Sequence, residues 1–270
     1  EYRSKPANIF GKNTYDTFLF LNGSLGPFLI GTAVATFFTG SQFSLNEMNQ
    51  VRWQTPWHGL EALLNGKNLA LGLAVLFLAR TNGILYIINS VDEEALIERS
   101  LGKLTVNAIA FLVFFLLFLG SLLLSKGFAY DSSTGTVMME NYKYLHNLIG
   151  MPLVLILFLA GVVGVLYGIG STIFGGSRSG IWYTGFGTLL AVTSLFLVAG
   201  FNDTAFYPSV YDLNSSLTIR NASSSHFTLK TMMFVSFIVP FVAAYIWFAW
   251  KAINNKRITE EEMKKEGHVY

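Results

Sequence analysis

Six runs of apolar residues dominate the chain: Phe18–Phe38, Leu69–Ile88, Leu104–Leu124, Met151–Phe174, Ile181–Gly200 and Met232–Trp250. Each is 19 to 24 residues long, and about 20 helical residues cross a hydrocarbon core of roughly 30 Å. In lipid the backbone has no water to bond, so continuous runs of this length predict helices and not strands. The pattern therefore predicts an all-α fold, a polytopic transmembrane bundle of six helices. Connections of about 30, 26 and 31 residues alternate with shorter ones of about 15 and 6. None has room for a soluble catalytic domain.

Composition agrees with the pattern. Hydrophobic residues make up 52% and charged residues 13%, with a mean hydropathy of +0.48; the charged share is about half that of soluble proteins. The net charge of +2 is no nucleic-acid signature, because the basic residues sit at helix ends and form no patch. The absence of cysteine excludes disulfides, thiolate metal sites and iron–sulfur ligation by this chain. The sequence opens on Glu1 with no signal peptide ahead of the first run, and it reads as a fragment.

Charge placement orients the helices. With the N-terminus in the cytoplasm, Arg3, Lys5, Lys12, Arg99, Lys103, Arg178, Lys251, Lys256, Arg257, Lys264 and Lys265 fall inside. Arg52, Lys67, Lys126, Lys143, Arg220 and Lys230 then fall outside. Eleven against six predicts that both ends of the chain are cytoplasmic, five of the eleven lying after the last run.

Within the runs, small residues and proline point to packing. The fourth holds Gly161, Gly164, Gly168 and Gly170, and the Gly164-x-x-x-Gly168 face suits either close helix packing or close approach of a ligand. Pro240 in the sixth removes a backbone donor and predicts a kink near its midpoint. Tyr245, Trp247 and Trp250 fall towards that helix's cytoplasmic end, where interfacial aromatics belong.

Candidate chemistry is sparse. Arg80 lies near the middle of the second run, where a charge is expensive, and predicts an acidic partner. Asp16 and Asp92–Glu94 stand near helix ends, imperfectly placed for that role. A structural ion pair, a cofactor propionate and a proton route all remain open for Arg80. His58 and Glu61 stand three apart in Trp57-His58-Gly59-Leu60-Glu61, a spacing that would place both on one helical face. They read as an interfacial polar turn or as part of a metal site that would need more ligands. His146, His226 and His268 also lie outside the runs, and no Asp or Glu falls within any of them. Inward histidines that would ligate a haem, and buried carboxylates that would drive proton-coupled transport, are both missing from the apolar cores. The residues describe a helical membrane subunit whose chemistry lies elsewhere; a stand-alone transporter and the membrane anchor of a respiratory dehydrogenase are the alternatives.

One ordered set of motifs goes further. Phe206-Tyr207-Pro208 is followed by Asn214-Ser215-Ser216-Leu217-Thr218-Ile219, Asn221-Ala222-Ser223-Ser224-Ser225 and Thr228-Leu229, and the tail carries Arg257-Ile258-Thr259-Glu260-Glu261 and His268-Val269-Tyr270. This set resembles subunit II of the bacterial cytochrome bd-type quinol oxidases. Tyr15-Asp16-Thr17 with Gly23, Gly31 and Gly40 is similar to that subunit's fourth helix, and Phe77-Leu78-Ala79-Arg80 also fits.

The resemblance implies a subunit of nine membrane helices, two four-helix bundles plus one, of which this chain supplies six. Glu1-Tyr2-Arg3 would then be the cytoplasmic end of the third helix, with the first three absent. Residues 1–40 would end the first bundle, 66–201 would form the second, 202–226 the external loop, 227–252 a peripheral final helix and 253–270 a cytoplasmic tail. It further implies a complex in the bacterial inner membrane that oxidises quinol, reduces oxygen to water and builds a proton gradient. Haem b and haem d would be held by the partner subunit I, and a small single-helix subunit and membrane lipid are further implied partners. This chain would ligate no haem, and Arg80, Asp16, His58 and Glu61 remain structural or proton-route candidates.

Overall fold

The computed structural model describes residues 10–253. The tail motifs, His268 and the Glu1-Tyr2-Arg3 opening lie outside the described residues. In chain order the helices are α1 (Lys12–Thr39), α2 (Gly66–Ser90), α3 (Glu94–Leu123), α4 (Lys143–Gly150), α5 (Pro152–Gly175), α6 (Gly180–Gly200), α7 (Ile219–Ala222), α8 (His226–Ser236) and α9 (Val239–Ile253). Among the described residues six helical spans are long and apolar enough to cross a membrane, α8 and α9 together forming the sixth. The fold is an all-α polytopic helical bundle.

Helices α2, α3, α5 and α6 close a ring, each packed against two of the others, and α1 lies outside it along α2. Two glycine crossings set the tightest contacts. A Cβ on Gly31 of α1 would lie 2.8 Å from the Cα of Gly72, and one on Gly72 would lie 2.9 Å from the Phe28 carbonyl oxygen. Between α5 and α6, a Cβ on Gly161 would lie 2.6 Å from the Ala191 nitrogen, and one on Gly164 3.2 Å from the Gly187 Cα. The small-residue face therefore serves helix packing, where van der Waals contact replaces a hydrophobic drive that lipid does not supply. One apolar core runs through the whole set, from Ala35 and Phe38 of α1 to Leu85, Phe118, Phe158 and Val198.

Helix limits differ from the apolar runs where polar residues keep helical backbone outside the lipid. α3 starts at Glu94, ten residues ahead of Leu104, so only residues 91–93 separate it from α2. At about 45 Å it is longer than the hydrocarbon is thick. The sixth span opens with Ser225, whose hydroxyl accepts from the Thr228 amide at 3.3 Å. It is interrupted at Phe237–Ile238, just ahead of Pro240, where the Phe237 and Ile238 amides turn to acceptors three residues back at 3.2 and 2.9 Å. Proline offers no N–H to the Ser236 carbonyl, and its ring crowds that turn.

The connections at the end opposite Lys12 and Ile253 are woven together by short ribbons. β1 (Phe43–Leu45) pairs with β2 (Val51–Trp53), β3 (Lys126–Tyr130) with β4 (Val137–Asn141), and β5 (Ala205–Tyr207) with β6 (Leu217–Thr218), all antiparallel. The Ser41 amide donates to the Pro208 carbonyl and the Val210 amide to the Ser41 carbonyl, both at 3.0 Å. Tyr130 joins the weave through its amide, which donates to Asp203 at 2.9 Å.

The loop motifs between Phe206 and Asn221 that carry part of the family resemblance sit in this cap. The Ser215 hydroxyl accepts from the Leu45 amide at 2.9 Å, and that of Ser216 from the Ser209 amide at 3.0 Å. Thr218 and Asn221 form a reciprocal cap on α7, and the Asn221 amide group also donates to the Ser216 carbonyl at 2.9 Å. Their residue types are those needed to satisfy buried backbone in a loop.

Candidate functional site

Arg80 lies 14 residues from the start of α2 and 10 from its end, about 21 and 15 Å along the axis. Its side chain is exposed on the seam between α1 and α2, with the guanidinium carbon 5.8 Å from the centre of the Phe20 ring. No carboxylate pairs with it among the described residues. Among the described residues the guanidinium meets an aromatic face instead, worth roughly 0.5–1 kcal/mol at an exposed site. Asp16 lies one turn below Phe20 on α1, half-buried and engaged in an interaction of its own.

Around this seam α1 is bare. Every residue from Thr17 to Gly23 is exposed, including Phe18, Leu19 and Phe20 and the amide of Asn22. A cation and an amide both stand at membrane depth on a surface that the described residues leave exposed. Next to Arg80, Thr81 is fully buried, and its hydroxyl and the Asn82 amide oxygen make no hydrogen bond among the described residues. Arg80, Thr81 and Asn82 are three consecutive polar residues in the apolar middle of α2; the run of three was the signal that could have flagged Thr81.

His58 and Glu61 do not share a helical face. His58 has φ +47 and Gly59 φ +97, so left-handed backbone precedes the single 3-10 turn Leu60–Leu64. Glu61 binds back to this turn, accepting from the Gly59 amide and the Thr55 hydroxyl, both at 2.9 Å. His58 is exposed and meets the Trp53 ring edge-on at 6.5 Å. The pair is a structured interfacial turn with its carboxylate already committed. Sequence spacing failed here because a helical face requires right-handed backbone throughout.

The other described histidines are also peripheral. His146 of α4 pairs with Glu140 at 3.2 Å, and His226 is the first residue of α8. The centre of the four-helix ring holds a cavity of about 80 Å³, with walls that include Leu78, Phe111 and Leu195 and with Thr188 as its one polar side chain. At the end of the ring where α2 ends and α6 begins, Arg178 ties the α5–α6 turn to Asp92 through a 2.5 Å hydrogen bond. Among the described residues no cluster of three metal-ligating side chains exists.

Comparison with known proteins gives one consistent answer. The cytochrome bd terminal oxidase subunit II family matches residues 1–253. The cytochrome bd-I ubiquinol oxidase subunit 2 of Escherichia coli strain K12 is 27% identical over 283 residues, covering 99% of this chain and 72% of the relative. The same subunit from Escherichia coli O157:H7 matches to the same extent.

Proposed function

The chain belongs to the cytochrome bd terminal oxidase subunit II family, and from that premise we propose that it is the haem-free membrane subunit of a quinol:oxygen oxidoreductase. In this reading two quinols give four electrons to one oxygen molecule, and two waters form. Protons for water are drawn from the cytoplasm and quinol protons leave on the other side, which builds the gradient. The haems, of b and d type, reside in subunit I, and this chain braces that subunit. Both of its ends lie on the cytoplasmic side, as the excess of basic residues there favours.

The observation that carries the reading is the filling of the bundle. A haem ligated within a helical bundle needs axial side chains aimed inward. Here the described histidines lie in a turn, in α4 and at the mouth of the last span, and the central space is small and apolar. The bare α1–α2 seam supports the assembly half of the proposal. An arginine at that depth costs roughly 2.5–3.5 kcal/mol when it faces lipid, so covering it with protein is favourable.

The test is spectroscopic. The full chain purified alone in detergent is expected to show no Soret band in its reduced-minus-oxidised spectrum, and the complex with subunit I to show all the haem. A Soret absorbance matching one haem per chain in the isolated subunit would overturn the assignment.

A further inference from the structure

Where the last span meets the bundle, a cavity of about 190 Å³ opens beside Ser90, the last residue of α2. Its walls include Tyr86 and Asn89 of α2, Trp182 of α6, and Trp247, Trp250 and Lys251 of α9. Trp182 stands between the two α9 indoles, with both ring centres 5.5 Å away at 63° and 60°. Every one of these helices is ending or starting here, so the cavity lies at the membrane–water boundary.

Its chemistry is one-sided. Trp182, Trp247 and Trp250 line it together with Tyr86, Asn89, Ser90 and Lys251, side chains that carry several N–H and O–H donors and one cation, and no carboxylate lines it. None of the three indole N–H groups has a hydrogen-bond partner among the described residues, and Lys251 has no ion-pair partner among them. A lining rich in donors, with one cation that has no ion-pair partner among the described residues, suits a ligand that brings acceptor oxygens and a negative charge. Aromatic walls at the boundary suit a ligand with apolar body and polar head.

We propose that this cavity binds an anionic phospholipid of the membrane, its phosphodiester on Lys251 and the indole N–H groups and its glycerol and upper acyl chains against the tryptophan rings. The lipid acts as a wedge between α9 and the α2–α6 edge of the bundle. The last span needs one: none of its residues from His226 to Ile253 is buried against the rest of the chain. A neutral quinone fits less well, because it offers the Lys251 ammonium no counter-charge.

Brominated lipids test this directly on the full chain in nanodiscs, with Trp53 and Trp57 changed to Phe so that only the three cavity indoles report. Brominated phosphatidylglycerol should quench their fluorescence more strongly than brominated phosphatidylethanolamine at equal mole fraction. Lys251→Gln should lower apparent affinity for the anionic lipid about fivefold, the effect of one basic residue near a membrane surface, and Lys251→Arg should restore it. Equal quenching by the two lipids, or quenching unchanged by Lys251→Gln, overturns the proposal. So does displacement of the brominated lipid by a quinone but not by unlabelled phosphatidylglycerol.

Discussion

Tyr144 donates a 3.1 Å hydrogen bond to the Phe38 carbonyl, and its ring meets the Phe38 ring edge-on at 5.4 Å. Phe38 lies in the last turn of α1, where helix carbonyls have lost their own donors. A fully buried phenol from α4, 106 residues away, supplies one. Burial pushes the Tyr144 phenol up, so it stays protonated and able to donate. The bond fastens α1 to the cap of the four-helix ring.

Tyr144→Phe keeps the ring contact and deletes the donor. The Phe38 carbonyl is then left buried without a partner, at a cost of about 1–3 kcal/mol. A lowered unfolding midpoint in mixed micelles, with the helical spectrum unchanged, is the expected result. An unchanged midpoint would mean that another donor reaches Phe38 and that the tie is not essential.

The six spans were legible because lipid permits little else: about 20 apolar residues in line have to become helix. The α5–α6 packing was legible for a related reason, since glycines four apart in an apolar run have few uses there. The ribbons were not. Each strand has five residues or fewer, and pairings such as Ser41 with Ser209 join segments far apart in sequence, leaving no local period to read. The Ser215–Asn221 motif marked kinship before its purpose was visible, because its hydrogen bonds run to other loops as well as its own. At the candidate site, Arg80 stood out as a charge, but its exposure could not be read from α2 alone. That depends on α1 crossing α2 at Gly31 and Gly72 and leaving Thr17–Gly23 uncovered.

The Gly31–Gly72 crossing is a sharper target than any apolar side chain. Gly72→Leu would drive a side chain into the Phe28 carbonyl and Thr32, forcing α1 away from α2. We expect a loss of roughly 1–3 kcal/mol, the usual range for overpacking, and faster proteolysis of α1 in detergent. Gly170→Ala is the control, since a Cβ there meets nothing within 4 Å; it should be neutral or slightly stabilising through helix propensity. Equal sensitivity at both positions would show that the crossing is not what holds α1.

Thr81 offers a test of whether its unpaired hydroxyl matters. Because that oxygen makes no hydrogen bond among the described residues, Thr81→Val removes a buried polar group without opening a hole. Stability should stay the same or rise by about 1 kcal/mol. A proton route through this point of α2 predicts the same stability but slower oxygen uptake by the assembled oxidase. A clear loss of stability would contradict both and reveal a hydrogen-bond partner supplied at assembly.

Arg80 separates the chain from its complex. Inside the chain it touches Phe20 and pairs with no carboxylate among the described residues, so Arg80→Met should change the stability of the isolated subunit by only about 0.5–1 kcal/mol. If a carboxylate of the partner subunit meets it across the covered seam, the same substitution leaves that carboxylate buried and unpaired, at about 3–5 kcal/mol. The predicted result is a subunit that folds normally but recovers little subunit I on affinity purification, read as the ratio of the two chains. Arg80→Lys should recover part of the binding, since it returns the charge without the planar fork. Full recovery of partner with Arg80→Met would place the arginine against lipid or water, and the seam would then lose its claim to be the assembly face.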